Sequence, residues 1–338
     1  VIANASGYWG DEGGAIARQV RGGPIDYLTM DYLAEITMII LARQKAQSEE
    51  AGFARDFVAY LRPLMKEIAD KGITVIANAG GINPGACARA LDAAAGDAGV
   101  KLPVAIVDGD DLQSRLGELS AAGCKFPHLD SGEPIGDLLA KVNSANAYIG
   151  ARPIAAALAK GARIVVTGRT YDAASVLAPM VHEFGWSWQD YDRLAAGLLA
   201  GHLIECGAQV TGGNYTRWEE VASFENFGYP LVECSSDGSF VLTKHPGTGG
   251  LVSRRTASEQ VLYEIGDPRF YASTDVVADF TSFTMEDSGP DRVTIRGVRG
   301  RMPTDTLKVS MTYEAGMKAS ALVVVSGPDS VRKARRLS

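Results

Sequence analysis

The sequence predicts an α/β fold: a helix-covered, mainly parallel sheet over residues 1–218, then a smaller α+β domain over 219–338. Three observations carry that reading. Short apolar runs are followed, one after another, by amphipathic stretches, the order expected of repeated β-α units. Each run stops in a loop rich in Gly, Asn or Asp, so strand ends are sharply marked. After about Trp218 this alternation gives way to short β-rich runs broken by one helical segment.

Val1–Ala5 reads as a first strand, closed by the loop from Asn4 to Gly14. A helix over about 13–21 follows, then a strand near Asp26–Met30 that ends in Asp31. Helices are expected over about Ala34–Gln47 and Ala51–Lys71. The second is marked by Phe53, Phe57, Leu61, Leu64 and Ile68 at helical spacing. Ile73–Ala77 is a strand closed by the loop from Asn78 to Gly85, where Asn83 is a natural N-cap and Pro84 a natural first helical residue. A helix to about Ala98 precedes the strand Val104–Val107, which stops at Asp108. Leu112–Val142 lacks a clear period, and its Gly, Pro and Ser around Phe126–Gly136 mark an excursion or lid. Ala145–Ile149 reads as a strand and Pro153–Lys160 as a helix. Ile164, Val165 and Val166 then form a β-branched run that stops at Thr167, Gly168 and Arg169. The next helix has Thr170 or Asp172 to cap it, and a further helix starts after Ser187–Asp190, which resembles a capping box. Later strands are expected at Leu231–Cys234, Phe240–Thr243, Val276–Phe280, Arg292–Val298, Leu307–Tyr313 and Ala319–Val325, with helices near Ser258–Ile265 and Asp329–Leu337.

Bulk composition narrows the function. A net charge of −7 lacks the basic field of a general nucleic-acid binder, so no nucleic-acid partner is expected. No apolar run reaches the about 20 residues that span a bilayer, so no membrane partner is expected either. The four cysteines are scattered without a C-x-x-C pair, which fits a reducing, cytoplasmic setting and neither a disulfide framework nor a zinc ribbon. No signal peptide is expected. The chain opens inside a strand at Val1 without an initiator Met and stops in a helix, as a chain trimmed at both ends would.

The chemistry concentrates in three loops and one helix. The loop bearing Asn4, Ser6, Gly7 and Asp11 follows a strand, but its glycines are spaced G-x-x-G-x-x-G-G and Trp9 crowds the backbone. It therefore reads as a cleft-lining turn and not as a nicotinamide site, although Asp31 partly mimics a ribose-binding acid. The loop with Asn78, Gly80, Gly81 and Asn83 has glycines that let amides converge on an anion. Thr167, Gly168 and Arg169 add a guanidinium fork for carboxylate or phosphate. For any one loop, turn chemistry alone is explanation enough; several at the strand ends of one sheet make a ligand edge. In the last helix of this half the apolar stripe Tyr191, Leu194, Leu198 continues with His202 and Glu205. An imidazole and a carboxylate there indicate a helix entering a cleft. His202 and Glu205 are the candidate acid/base pair, with Asp172 or Asp11 nearby; a buried His–Glu hydrogen bond that merely stiffens the helix end is the alternative. With no third ligand at metal spacing, no metal and no cofactor are expected, and Cys206 reads as a packed small hydrophobe.

At these residues the chain resembles the acyclic terpene utilisation family, the AtuA-type proteins. The shared motifs are NASGYWGDE, DYLTMDYLAE, ITVIANAGGINP, GARPIAAALAKGARIVVTGRTYDAASVLAPMVHEFGW and GHLIECGAQVTGGN, with GTGGLVSRRTASEQVLYEIGDPRFY and YEAGMKASALVVVSGPDS later. The resemblance implies an N-terminal α/β domain followed by a smaller ferredoxin-like domain, and a place in bacterial breakdown of citronellol and geraniol through acyl-CoA intermediates. It supplies no catalytic residue set. Two functions are therefore expected. One is a cytosolic, cofactor-independent lyase or hydratase acting on a small-molecule branched carboxylate or acyl-CoA, as a homo-oligomer. The other is a non-catalytic subunit that binds an acyl ligand or a partner enzyme.

Overall fold

The computed structural model describes residues 1–337. Strands β1 (Ile2–Asn4), β2 (Tyr27–Met30), β3 (Thr74–Ala77) and β4 (Val104–Val107) alternate with helices α1 (Gly14–Gly22), α2 (Glu35–Gln47), α3 (Arg55–Leu61), α4 (Met65–Asp70) and α5 (Pro84–Asp97). Next come α6 (Leu116–Ala121), β5 (Val142–Ala147), α7 (Arg152–Ala159), β6 (Ile164–Thr167), α8 (Ala174–Phe184) and α9 (Tyr191–Ile204). The rest comprises β7 (Pro230–Cys234), β8 (Phe240–Lys244), α10 (Arg254–Leu262), β9 (Tyr271–Ala272), β10 (Val277–Asp279), β11 (Thr284–Gly289), β12 (Arg292–Arg296), β13 (Arg299–Arg301), β14 (Val309–Tyr313) and α11 (Ser330–Ala334).

The fold is α/β, built on a nine-stranded mixed sheet in the order β11-β12-β8-β7-β1-β2-β3-β6-β4. The five strands β1, β2, β3, β6 and β4 are parallel. β7 joins β1 antiparallel, and β8, β12 and β11 continue antiparallel beyond it. The sheet thus runs on across residue 218, with β7, β8, β11 and β12 extending the parallel half. Its two faces feed separate cores. Val165 enters the one under α7, α8 and α9, while Ile164 and Val166 enter the one under α1, α3, α4 and α5, as strand alternation requires. A three-stranded sheet of β9, β10 and β13 adds Ala278 to the first core, and Val276 and Val298, just before β10 and β13, join it there.

Several local expectations are corrected. Ala51–Lys71 is not one helix: Pro63, which has no amide to donate, sits in a 3-10 turn that separates α3 from α4. β5 leaves the sheet and pairs antiparallel with β14. Neither Thr170 nor Asp172 caps α8, whose N-cap position is Ala173 without a side-chain bond. No capping box opens α9 either; Ser187 bonds Gln189 instead. Ala319–Val325 forms no strand, and Leu322 there is exposed. The Leu112–Val142 excursion holds α6 and two 3-10 turns, and Phe126, Ile135 and Leu139 pack onto Leu116, Val142 and Ala145. Among the described residues no helix is long and apolar enough to cross a membrane.

Glycine decides how closely β3 and β6 hand over their loops. A Cβ on Gly80 would lie 2.5 Å from the Thr167 carbonyl oxygen, whereas one on Gly96, inside α5, would meet nothing within 4 Å. Gly80→Ala is expected to destabilise by about 1–3 kcal/mol, and Gly96→Ala to stabilise by roughly 0.5–1 kcal/mol. Urea midpoints of the two variants check both signs.

Candidate functional site

Parallel strands deliver their C-terminal ends to one edge, and polar residues just past those ends must find partners there. Arg169, past β6, is the hub. It is only 3% exposed. Its Nη1 donates to the Leu33 carbonyl and, at 3.0 Å, to Asp172, while Nη2 donates to the Tyr148 hydroxyl at 3.0 Å. The guanidinium also stacks on the Tyr148 ring at 4.3 Å. Its backbone amide donates at 2.8 Å to Asp110, past β4. Its Nε is buried and has no partner.

Two carboxyl groups face one another beside this cation. Asp31, past β2, accepts from the Leu33 amide at 3.0 Å and from the Asn78 side chain at 2.7 Å. Asp172 is the neighbouring carboxyl whose charge acts on it. Burial, then the Asp172 charge, pushes Asp31 well above its ordinary value, against the pull of Arg169 and Asn78. Burial pushes Asp172 up as well, with Arg169 opposing. The charge on each carboxyl opposes ionisation of the other, in the same direction as burial. Asp172 is only partly buried, with 34% of its side chain exposed.

His202 and Glu205 form the next layer. The helix does not leave the core at His202, which is 1% exposed and packed against the rings of Tyr271 and Phe280. Its Nδ1 lies 3.2 Å from Glu205 and 3.3 Å from the Tyr271 hydroxyl, and its Nε2 lies 3.4 Å from the Val261 carbonyl. Both ring nitrogens are therefore occupied from within the protein. Burial would lower the His202 pKa, but the Glu205 hydrogen bond and charge outweigh it and the net direction is up. Burial raises Glu205, against the pull of His202. Glu205, at the C-cap of α9, is 11% exposed and is the more reachable member of the pair.

The three predicted loops meet at this edge. The Ser6 hydroxyl donates to the Asp31 carbonyl at 3.1 Å, and a Cβ on Gly7 would strike the Cys206 backbone, next to Glu205. Asn78 spans the Tyr32 amide and Asp31. Gly80 packs on Thr167, and Gly168 fits against Asp110. The loop amides, however, are largely spent inside the protein. Gly81 and Asn83 donate to carbonyls of their own loop, Gly168 donates to Val107, and Ser6 donates to the Asn4 side chain. The Asn83 side chain is occupied by Glu49, Ala51 and Ala86. Asp11 accepts from Gly7, Glu12 and the Tyr229 hydroxyl, which leaves it holding its own loop. These residues therefore shape the edge, while Arg169, Asp172 and Glu205 supply its polar groups.

Sequence reasoning did not nominate Tyr148, Glu35, Lys308, Asp110 or Tyr271. Tyr148 donates to Glu35, Lys308 bonds Glu35 at 3.2 Å, and Lys308 lies over the Tyr148 ring at 4.6 Å. Each comes from a different element, and no spacing along the chain signals their meeting. Asp31 was legible as an acid at a strand end. Among the described residues no three His, Cys, Asp or Glu side chains are grouped to hold a metal ion. Two surface grooves run along β4 and beside α10, and neither is lined by Asp31, Arg169, Asp172, His202 or Glu205.

In comparisons with known proteins, the family profile described as "Acyclic terpene utilisation family protein AtuA" matches residues 1–338. No curated protein and no solved structure matches the chain.

The Asp31 carboxyl is held above its ordinary 3.8, so between the two values the folded chain keeps a proton that the unfolded chain has lost. That contribution to stability is lost as pH rises through the folded value. Asp31→Asn keeps the acceptor for Leu33 and Asn78 and offers an amide donor to Asp172. The variant is expected to gain on the wild type in urea midpoint between about pH 5 and about pH 8. An equal offset at both values would contradict a raised Asp31.

Proposed function

We propose, for a chain that belongs to the acyclic terpene utilisation family over residues 1–338, a catabolic acid–base role in the cytoplasm. The reading is a cofactor-independent lyase or hydratase acting on a branched carboxylate or its acyl-CoA thioester. The observation that carries it is the pair of carboxyls Asp31 and Asp172, both raised by burial, beside a buried Arg169 whose Nε has no acceptor. An unpaired buried donor costs about 1–3 kcal/mol, and a carbonyl or carboxylate oxygen of a ligand would relieve it.

In the elimination direction, ionised Asp172 takes the proton from the carbon next to the carbonyl. Arg169 stabilises the charge that develops on the carbonyl oxygen, and protonated Glu205 gives its proton to the departing hydroxyl, which leaves as water. Hydration is the reverse. Asp31 holds its proton behind Asp172 and sets its basicity. His202, closed off from the cleft, is a positioning residue that orients Glu205; the cycle closes when Asp172 releases the proton it took to water and Glu205 regains one from water. A second reading, a non-catalytic subunit that binds an acyl ligand or a partner enzyme, is favoured by one fact: His202 is packed as a structural histidine would be.

Incubation with a panel of acyl-CoA thioesters and free acids separates the two. Turnover is expected in the first reading, and Asp172→Asn should lower it by about 10²–10⁴-fold without loss of fold. His202→Gln should shift the pH profile of turnover and leave binding intact. Saturable binding with no turnover of any member of the panel would leave the second reading.

A further inference from the structure

The nine-stranded sheet ends in two unlike edges, β11 and β4. β11 carries Glu286 and Asp287 and a register shift between Asp287 and Gly289, the charges and irregularity that keep an edge strand from pairing. β4 has neither: its residues, Val104 to Val107, are all apolar, and its register with β6 is unbroken. The carbonyls of Pro103 and Val107 accept from Ile164 and Gly168, at the two ends of β6. Strand alternation therefore turns the amides and carbonyls of Val104 and Ile106 outward, away from β6. Among the described residues no other strand pairs with them, and a groove runs along β4 toward Ala156 of α7. The Ile106 side chain is 44% exposed. Lys101, just before β4, and Asp108, just after it, are exposed and form no ion pair among the described residues.

We propose that β4 is a dimer edge, pairing antiparallel with β4 of a second copy of this chain about a two-fold axis through Ala105. In that register Val104 of each copy opposes Ile106 of the other, and the outward amides and carbonyls of the two exchange both hydrogen bonds. Ile106 is then covered by Val104 of the second copy, an apolar cross-strand pair. On the other face Ala105 meets Ala105, and the small side chain of Ala156 leaves room for the approach. The same register sets Lys101 of each copy opposite Gly109 of the other, next to Asp108. Along one extended strand Lys101 and Asp108 lie about 20 Å apart, so they attract only between copies. A parallel pairing sets like charges together instead, so charge complementarity selects the two-fold arrangement. The dimer does not depend on the proposed reaction, but it borders that site: the loop after β4 carries Asp110, which accepts from the Arg169 amide.

Sedimentation velocity over a concentration series tests the pairing. The wild type is expected to pass from monomer to dimer as concentration rises, and Ile106→Lys to stay monomeric, because a charge on the edge opposes pairing. Lys101→Glu and Asp108→Lys should each raise the dissociation constant roughly tenfold, since each changes a contact made twice per dimer. The combined variant should recover wild-type association, a rescue that only contact between copies explains. All three positions are exposed, so circular dichroism spectra should stay unchanged. Hydrogen exchange adds an independent readout: the Val104 and Ile106 amides should be protected in the dimer and fast in Ile106→Lys. A wild type that is monomeric throughout, a dimer indifferent to Ile106→Lys, or a combined variant no better than the single ones would overturn the proposal. So would a monomer in which those two amides exchange slowly, since something other than a second copy then covers the edge.

Discussion

The C-terminal edge of the sheet depends on one buried guanidinium. A charge taken out of water is tolerated only when it is paired and its hydrogen-bonding groups are met. Arg169 meets this condition everywhere but at its Nε, by recruiting a carbonyl past β2, a hydroxyl past β5 and a carboxylate in its own loop, while its amide takes a carboxylate past β4. The same bonds that neutralise Arg169 lock four chain segments, far apart in sequence, into one geometry. The loop glycines serve this arrangement: Gly80 and Gly168 let backbone and side chains approach where a methyl group would hold them apart.

That low-dielectric setting splits acids that are neighbours in sequence. Asp31 faces a second carboxyl in a buried place and is driven up. Glu35, four residues on, is also opposed by burial, but the Tyr148 hydroxyl, its own amide and Lys308 hold it down to about 2. Environments that push paired acids apart are how one fold supplies both a proton donor and a proton acceptor near neutrality. Tyr148 links the two, since it accepts from Arg169 and donates to Glu35.

Where local chemistry decides, the sequence was legible. Asn83 caps α5 and Pro84 opens it, as their types require. Strand runs such as Ile164–Val166 are apolar on both faces because both are covered, and the alternation of strand and helix identified the parallel half. Where distant segments decide, it was not. No local feature shows that β7 returns to pair with β1, or that β5 leaves to pair with β14. Asp172 had the look of a cap, yet Arg169 competes for it and wins with a charge-assisted bond. His202 continued an apolar stripe, which fits a helix leaving the core and one still inside it equally well; Tyr271 and Phe280 settle the matter from a part of the chain about 70–80 residues later. The site residues at strand ends were therefore visible, and the shell that orients them was not.

The central claim is that Asp31 and Asp172 form one proton-sharing unit. NMR titration of carboxyl carbons in aspartate-labelled protein tests it most directly, with the two signals assigned through Asp31→Asn and Asp172→Asn. The account predicts coupled titration: one proton is lost well above the ordinary aspartate value of 3.8, and its loss perturbs both signals. Two independent titrations, each near 3.8, would contradict it.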